Sequence, residues 1–149
     1  MKIALGSDHA GFLYKEALKK MLLAQGHEII DCGTDSLEVT NYPKYIIAAA
    51  QKVASGECER AIVLGGSGNG EAIAANKVPG IRCALAWNEE TARLSRAHNN
   101  ANVLSLGERM LSLETAQELV ALWLKTPFEF GRHERRLEEL ARYEQQKKL

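Results

Sequence analysis

IVLGGSGNGEAIAANK, from Ile62 to Lys77, is the most informative segment of this sequence. An apolar run leads into four glycines within six residues, and an alanine-rich stretch with helical character follows Glu71. This order predicts a strand, a tight turn and the start of a helix. Glycine permits close approach of a ligand, and a helix start presents unpaired N–H donors to anions. The segment therefore predicts an anion or oxyanion site with a carboxylate beside it.

Short apolar segments on both sides of this turn alternate with segments of helical periodicity. The predicted strands are Lys2–Gly6, Glu28–Cys32, Arg60–Leu64, Ile81–Ala86 and Asn102–Leu106. The predicted helices are Phe12–Ala24, Pro43–Ser55, Glu71–Lys77, Glu89–Ala97, Leu113–Leu124 and 131–149. Such alternation is typical of a parallel sheet with helices on both faces. We expect an α/β fold, a Rossmann-like three-layer sandwich with a five-stranded parallel sheet and an extended C-terminal helix, in one domain over residues 1–149.

The predicted last helix, 131–149, is mostly charged. Its apolar residues form a thin line at Leu137, Leu140 and Tyr143. Such a helix buries little against its own chain, so it is either solvated or packed on a partner subunit. Arg132 and Arg136 are four residues apart, which allows both guanidinium groups to bind one oxyanion. A solvated charged face is the alternative interpretation of these arginines.

Composition and charge argue against several classes of function. The 19 basic and 19 acidic residues balance, which disfavours nucleic acid as the main partner. No apolar run approaches the ~20 residues of a membrane span, and the apolar part of the N-terminus is too short for a signal peptide. We therefore expect a cytoplasmic protein. The three cysteines, Cys32, Cys58 and Cys83, lack the spacing of a disulfide or zinc framework.

Polar residues follow the predicted strands, at the edge of the sheet where α/β folds bind ligands. Asp8 and His9 follow the first strand, where Asp8 either binds a ligand or caps the next helix. His98 and Asn99 instead follow a helix, on the opposite side of the fifth strand. A plain helix C-terminus is the alternative interpretation of this pair. In one subunit both should lie away from the ligand-binding edge, so a functional role for them favours a dimer.

The glycine turn does not match a nucleotide-binding loop. It is not in the first strand–helix unit, where the dinucleotide fingerprint belongs, and Glu71 stands where a P-loop needs lysine. A tight turn without a ligand is the alternative, although this many glycines cost more conformational entropy than a plain turn requires. The polar residues at the ligand-binding edge of the predicted sheet lack the spacing of metal ligands, so we expect no metal.

Four motifs together resemble the type B ribose-5-phosphate isomerases, in a wider family that includes the galactose-6-phosphate isomerase subunits. The motifs are SDHAGF at Ser7–Phe12, GGSGNGEAIAANKVPGIR at Gly65–Arg82, RAHNNANVLSLGERM at Arg96–Met110 and GRHERR at Gly131–Arg136. The resemblance implies interconversion of ribose 5-phosphate and ribulose 5-phosphate through a cis-enediolate, a step of the pentose phosphate pathway. It implies no cofactor and an active site shared between two subunits, so we expect a homodimer or a tetramer.

The resemblance also implies roles for individual residues. In one branch of the family the base is a Cys at the position of Gly65; in the other it is the Glu at the position of Glu71. His98, aided by Asp8, matches the residue that opens the furanose ring. The loop implied to bind the enediolate is Gly66, Ser67, Gly68, Asn69 and Gly70, with the Ser67 hydroxyl among the catalytic groups. Asn99 matches a ligand of a sugar oxygen, Tyr42 matches a pocket wall, and the phosphate set is His9, Arg109, Arg132 and Arg136.

The sequence leaves two questions open. A carboxylate at its ordinary pKa is a weak base for a carbon acid; burial would raise the pKa of Glu71, whereas the helix start would lower it. The substrate can also be allose 6-phosphate, galactose 6-phosphate or a tetrose phosphate, although His98 favours sugars that cyclise. A module that binds an anionic metabolite without catalysis is the alternative from another class.

Overall fold

The computed structural model describes residues 1–146; the end of the predicted C-terminal helix, 147–149, lies outside the described residues. The strands are β1 Lys2–Ser7, β2 Glu28–Asp31, β3 Arg60–Gly65, β4 Cys83–Leu85 and β5 Val103–Gly107. The helices are α1 Phe12–Ala24, α2 Pro43–Ala54, α3 Asn69–Asn76, α4 Glu89–Ala97, α5 Leu113–Lys125 and α6 Arg132–Gln146. A short 3₁₀ turn, His9–Gly11, precedes α1.

The strands form one parallel sheet in the order β2-β1-β3-β5-β4, which confirms the predicted fold class. The chain winds from β1 to β2 in one direction and then passes back over β1 to β3 in the other. The crevice outside the carboxyl ends of β1 and β3 is therefore the switch point at which open α/β sheets bind ligands. Asp8 and the glycine turn lie directly after these two strands.

Alternation along the strands divides the core into two layers. Successive side chains of a strand point to opposite faces of the sheet. In β3, Ile62 and Leu64 pack with α1 and α5, whereas Ala61 and Val63 pack with α2 and α3. Helices therefore cover both faces of the sheet, as the strand–helix alternation predicts.

Two elements begin two residues away from their predicted starts, whereas the other described boundaries agree to within one or two residues. Helix α3 begins two residues early, because Gly68 adopts a φ of 84° and Ser67 Oγ accepts a hydrogen bond from the N–H of Asn69 (3.2 Å). Strand β4 is shorter than predicted, because the N–H of Arg82 donates to the side chain of Asn102 (2.8 Å) instead of a strand carbonyl. The early start of α3 places Glu71 in its first turn.

Helix α6 packs only lightly against the rest of the chain. Of its described residues, only His133 is buried. Near its other end, Glu144 accepts a hydrogen bond from the N–H of Gly80 (3.0 Å). Among residues 1–146, no helix combines the length and apolar character needed to cross a membrane.

Candidate active site

A cavity of about 350 Å³ lies at the switch point and contains most of the predicted site residues. Its walls come from the ends of β1, β3 and β5 and from the start of α2. The lining residues are Asp8, His9, Ala10, Tyr42, Gly66, Ser67, Gly70, Glu71, Arg109 and Met110. The cavity therefore combines two buried acids, Asp8 and Glu71, with one exposed arginine and several hydrogen-bonding groups.

Glu71 is the more deeply buried of the two carboxylates in this cavity, with 4% of its surface exposed. Its carboxylate occupies the space beside the backbone of Gly65. A Cβ added at Gly65 would overlap Oε1 and Cδ of Glu71 and would lie 2.6 Å from Oε2. The absence of a side chain at position 65 is therefore a steric requirement for this placement of the Glu71 carboxylate.

Burial raises the pKa of the Glu71 carboxyl above its ordinary value. The negative charge of Asp8 acts in the same direction, whereas hydrogen bonds from the backbone at Glu71 and Gly68 act against it. Burial therefore raises the pKa of Glu71 by more than the helix start lowers it, which answers the question that the sequence left open. A raised pKa makes the carboxylate a better acceptor for a proton bound to carbon.

The raised pKa also makes the stability of the fold depend on pH. The folded chain holds the Glu71 proton more tightly than the unfolded chain, so this stabilisation is present below the unfolded pKa of about 4.5 and is lost as pH rises through the folded value. We therefore expect Glu71→Gln to raise Tm at pH 7 by more than at pH 4. Thermal unfolding at both pH values measures this, with Glu118→Gln on the exposed face of α5 as the control for charge removal. A Tm gain that does not shrink at pH 4 would contradict the raised pKa.

Asp8 and His9 both line the cavity while taking part in local structure. Asp8 Oδ1 caps the 3₁₀ turn by accepting hydrogen bonds from the N–H groups of Ala10 (3.0 Å) and Gly11 (3.2 Å). His9 Nδ1 accepts a hydrogen bond from the N–H of Thr40 (3.1 Å). In a neutral imidazole this leaves Nε2 as the donor. The capping and ligand-binding interpretations of Asp8 are therefore compatible.

Tyr42 and Arg109 form two sides of the cavity by packing on glycines. A Cβ at Gly70 would lie 2.7 Å from the hydroxyl oxygen of Tyr42, and a Cβ at Gly66 would lie 3.0 Å from Arg109 Nη1. The backbone of Arg109 is fixed by donation of its N–H to the carbonyl of Gly66 (3.0 Å). The small residues of the loop thus allow a phenol and a guanidinium to approach the backbone closely.

Two members of the predicted glycine loop do not line this cavity. Gly68 is buried, and its carbonyl accepts a hydrogen bond from Ser105 Oγ (2.8 Å). Asn69 faces a separate cavity of about 180 Å³ beside Trp87 and Met110. Their contribution is to begin α3, with Gly68 as its N-cap and Asn69 as its first residue.

His98 lies outside the cavity, in a second cluster formed with residues that the sequence analysis did not select. Its ring stacks on that of His133, with centroids 4.2 Å apart and an interplanar angle of 15°. Glu129 Oε2 lies 3.7 Å from His98 Nε2 and 3.8 Å from His133 Nε2. Burial lowers the pKa of His133, as do the positive charges of His98 and of nearby arginines.

The other predicted residues outside the cavity accompany His98. Asn99 lines a groove of about 730 Å³ between α6 and the segment from α3 to β4. Arg132 and Arg136 are exposed in the first turns of α6, close enough to His133 for their charges to affect its pKa. The chain thus separates the predicted site residues into a Glu71 group and a His98 group, as the sequence predicts for a single subunit. None of the three cavities described here contains residues of both groups.

The cysteines do not add a nucleophile to the site. All three are free thiols. Burial, together with the negative charge of Glu71, raises the pKa of Cys83 to about 12. A thiol that stays protonated is a poor nucleophile, in agreement with the absence of a Cys–His pair in the sequence.

Comparisons with known proteins identify the family to which the chain belongs. The Ribose/Galactose Isomerase family model matches residues 3–140. The chain is similar to ribose-5-phosphate isomerase B of Mycolicibacterium paratuberculosis, with 49% identity over 146 residues that cover 97% of this chain and 92% of the relative. It is also similar to D-erythrulose-4-phosphate isomerase 2 of Mycolicibacterium smegmatis, with 46% identity over 132 residues that cover 87% of each.

A solved structure is similar over nearly the whole fold. Ribose-5-phosphate isomerase B of Clostridium thermocellum has a TM-score of 0.96 and 46% identity, covering 98% of this chain and 99% of that one. The resemblance carried by the four motifs is therefore confirmed, and the chain belongs to the ribose/galactose isomerase family.

Proposed function

We propose that this chain is an aldose–ketose isomerase that interconverts D-ribose 5-phosphate and D-ribulose 5-phosphate, with Glu71 as the base. The observation that carries this proposal is a buried carboxylate of raised pKa in a cavity that also presents Arg109 and His9. Relatives that are named ribose-5-phosphate isomerase B support the choice of sugar. No cofactor is needed, because one proton leaves C2 and one returns to C1.

The proton-transfer steps follow from the chemistry of an α-hydroxy aldehyde. Glu71 removes the proton from C2 of the open-chain aldose, and the electron pair forms the C1–C2 double bond while O1 becomes an enolate oxygen. Transfer of the O2 proton and return of a proton to C1 give the ketose. Preorganised N–H donors stabilise such an oxyanion most effectively, and we assign this role to the loop residues that line the cavity, Gly66, Ser67 and Gly70, with the Ser67 hydroxyl beside them.

We further propose that two chains assemble so that the His98 group of one completes the cavity of the other. Ribose 5-phosphate is mainly a furanose in water, so a ring-opening group has to reach a substrate held next to Glu71. The sparse burial of α6 supports this arrangement, as does the partly apolar groove that includes Leu137 and Leu140. In the assembled site, Asn99 contacts a sugar oxygen, and Arg132 and Arg136 join His9 and Arg109 on the phosphate.

Mixed dimers test the shared site. Glu71→Gln and His98→Asn each damage both sites of a homodimer. A mixed dimer of the two variants contains one site with both substitutions and one site with neither, if the site is shared between chains. We expect each pure variant to be slow on ribose 5-phosphate and the refolded mixture to regain activity. A mixture no faster than the sum of its parts, with subunit exchange verified by mass spectrometry, would contradict the shared site.

A second candidate substrate is a tetrose 4-phosphate, because one relative of similar identity is named D-erythrulose-4-phosphate isomerase 2. A comparison of kcat/KM for ribose 5-phosphate, allose 6-phosphate, galactose 6-phosphate and erythrulose 4-phosphate under one set of conditions decides between these sugars. The proposal requires the highest value for ribose 5-phosphate. A higher value for another sugar would reassign the substrate, and binding without turnover of all four would indicate a non-catalytic module.

A further inference from the structure

The imidazole of His98 is held on one side by two side chains, one from the segment before α6 and one from the first turn of α6. We infer that Glu129 and His133 are positioning residues, which set the orientation of the His98 ring for opening the sugar. This inference rests on the proposed function, because it concerns the step that we assign to His98. Neither residue belongs to the cavity that contains Glu71.

His133 provides a fixed surface for the His98 ring. It is 3% exposed, and its Nε2 has no hydrogen-bond partner among the described residues. The near-parallel stack leaves the side chain of His98 34% exposed, so one face is covered while part of the ring stays accessible. A buried ring has few rotamers available, and a ring stacked on it is restricted in the same way.

Glu129 is held in place by the backbone beside His98. Its N–H donates to the carbonyl of Ala97 (2.9 Å), the residue before His98. Between Glu129 and His133 the chain passes through two left-handed residues, Phe130 (φ 62°) and Gly131 (φ 61°). A left-handed phenylalanine is unfavourable, so the surrounding structure must impose it. The turn brings the Glu129 carboxylate to within 3.7 Å of His98 Nε2 and the buried imidazole of His133 onto the face of the His98 ring.

The other side of the His98 segment is fixed by two arginines. Arg82 Nε donates to the carbonyl of Asn99 (3.0 Å), and Arg96 Nη1 donates to the carbonyl of Ala101 (2.7 Å). The backbone that follows His98 is therefore rigid. The remaining freedom of the residue lies in its side-chain torsions, which are the torsions that His133 and Glu129 restrict.

Two imidazoles and a carboxylate are also a donor set for zinc. The geometry of this cluster does not favour a metal, because the two imidazoles lie in separate, nearly parallel planes and one ion cannot lie in both ring planes, as donation from both lone pairs requires. In addition, Arg132 and Arg136 place positive charge beside His133. The cluster is better suited to orient an imidazole that exchanges protons.

Ring opening depends on the placement of such an imidazole. The C1–O4 bond breaks, O4 gains a proton, and the proton of the C1 hydroxyl is lost as the aldehyde forms, so the number of protons on the sugar is unchanged. A displacement of ~1 Å at a group that transfers protons can lower a rate by ~100-fold. Loss of the stack is therefore expected to slow ring opening while leaving the chemistry at Glu71 intact.

The test compares a substrate that must be opened with one that is always open. Ribulose 5-phosphate cannot close a furanose, because its O5 carries the phosphate; exchange of its C1 proton with deuterium from solvent therefore requires Glu71 but no ring opening. For His133→Ala we expect kcat on ribose 5-phosphate to fall by about 10- to 100-fold with little change in KM, and for Glu129→Gln by about 10-fold. C1 exchange should stay within about twofold of wild type in both variants.

Two further variants control this test. His133→Phe keeps an aromatic ring beneath His98 and should recover most of the kcat lost in His133→Ala. His27→Ala removes a partly buried histidine distant in sequence from both groups and should leave kcat and C1 exchange unchanged. Glu129 is about half exposed, so Glu129→Gln reports on the inference even if His133→Ala does not fold.

The outcomes separate this inference from the proposed function. If the wild type converts ribose 5-phosphate and kcat is unchanged both in Glu129→Gln and in a folded His133 variant, the inference about positioning is wrong. The proposed function then still stands. An equal loss of C1 exchange and of kcat also overturns the inference, because the residues then act on the whole site and not on His98. A wild-type protein that converts no ribose 5-phosphate overturns the proposed function itself.

Discussion

Glu71→Gln is expected to lower kcat for ribose 5-phosphate by roughly 10²- to 10⁴-fold, the usual contribution of a general base. The amide keeps the size of the buried side chain but cannot accept the C2 proton. Binding of ribulose 5-phosphate should persist, because the phosphate and hydroxyl contacts that we assign involve other residues. Steady-state kinetics measure the first effect and titration calorimetry the second.

Glu118→Gln on α5 is the matched control, since it removes the same charge from an exposed position outside the cavity. Its kinetics should match those of the wild type. Full activity in Glu71→Gln would remove the base assignment. Loss of sugar-phosphate binding along with activity would indicate that Glu71 holds the substrate and not that it moves a proton.

Gly65→Ala should have the next largest effect, although it adds only one methyl group. The new Cβ would overlap the Glu71 carboxylate, which would then have to leave its position beside the backbone of β3. We expect a loss in kcat of the order of 100-fold, because a base displaced by ~1 Å loses its alignment with C2. Steady-state kinetics measure the loss, and Tm shows whether the fold is retained.

Gly66→Ala provides the comparison for this substitution. Its Cβ would meet the guanidinium end of Arg109 at 3.0 Å, which a flexible side chain can relieve by moving. Its loss in kcat should therefore be smaller than that of Gly65→Ala. Equal activities of Gly65→Ala and the wild type would show that the carboxylate does not work from the position beside Gly65.

The overlap between a Cβ at position 65 and the Glu71 carboxylate also bears on the two branches of the family. The resemblance implies a Cys base at the position of Gly65 in one branch of the family and a Glu base at the position of Glu71 in the other. In this chain the carboxylate fills the space that a side chain at position 65 needs. A side chain at position 65 and this placement of the Glu71 carboxylate therefore exclude each other sterically.

The fold could be predicted from the sequence because its signals are local. Apolar strand runs, helix periodicity and the glycines of the turn lie within short segments, and the structure confirms the five strands and the parallel sheet. Boundaries shifted where a side chain from elsewhere replaced a backbone partner, as Asn102 does at Arg82. Such substitutions depend on tertiary contacts that periodicity does not report.

The site could be predicted only in part, for a related reason. Asp8, the glycine turn and Glu71 lie at strand ends, so the topology alone brings them together. The direction of the pKa shift of Glu71 depends on how deeply the carboxyl is buried, which only the packed structure shows. His133 lies within the quoted motif GRHERR, yet only its arginines were selected, because the burial of one histidine in a charged helix leaves no sequence signal.

Deuterium incorporation tests the central claim, that Glu71 moves a proton between C2 and C1, most directly. The experiment converts ribose 5-phosphate in D₂O and follows C1 of the ribulose 5-phosphate product by NMR. The mechanism requires deuterium at C1 with the wild-type protein and almost none above background with Glu71→Gln in the same time. Ketose that stays free of deuterium at C1 through many turnovers, which indicates direct hydride transfer from C2, or equal incorporation by Glu71→Gln, would contradict proton transfer through Glu71.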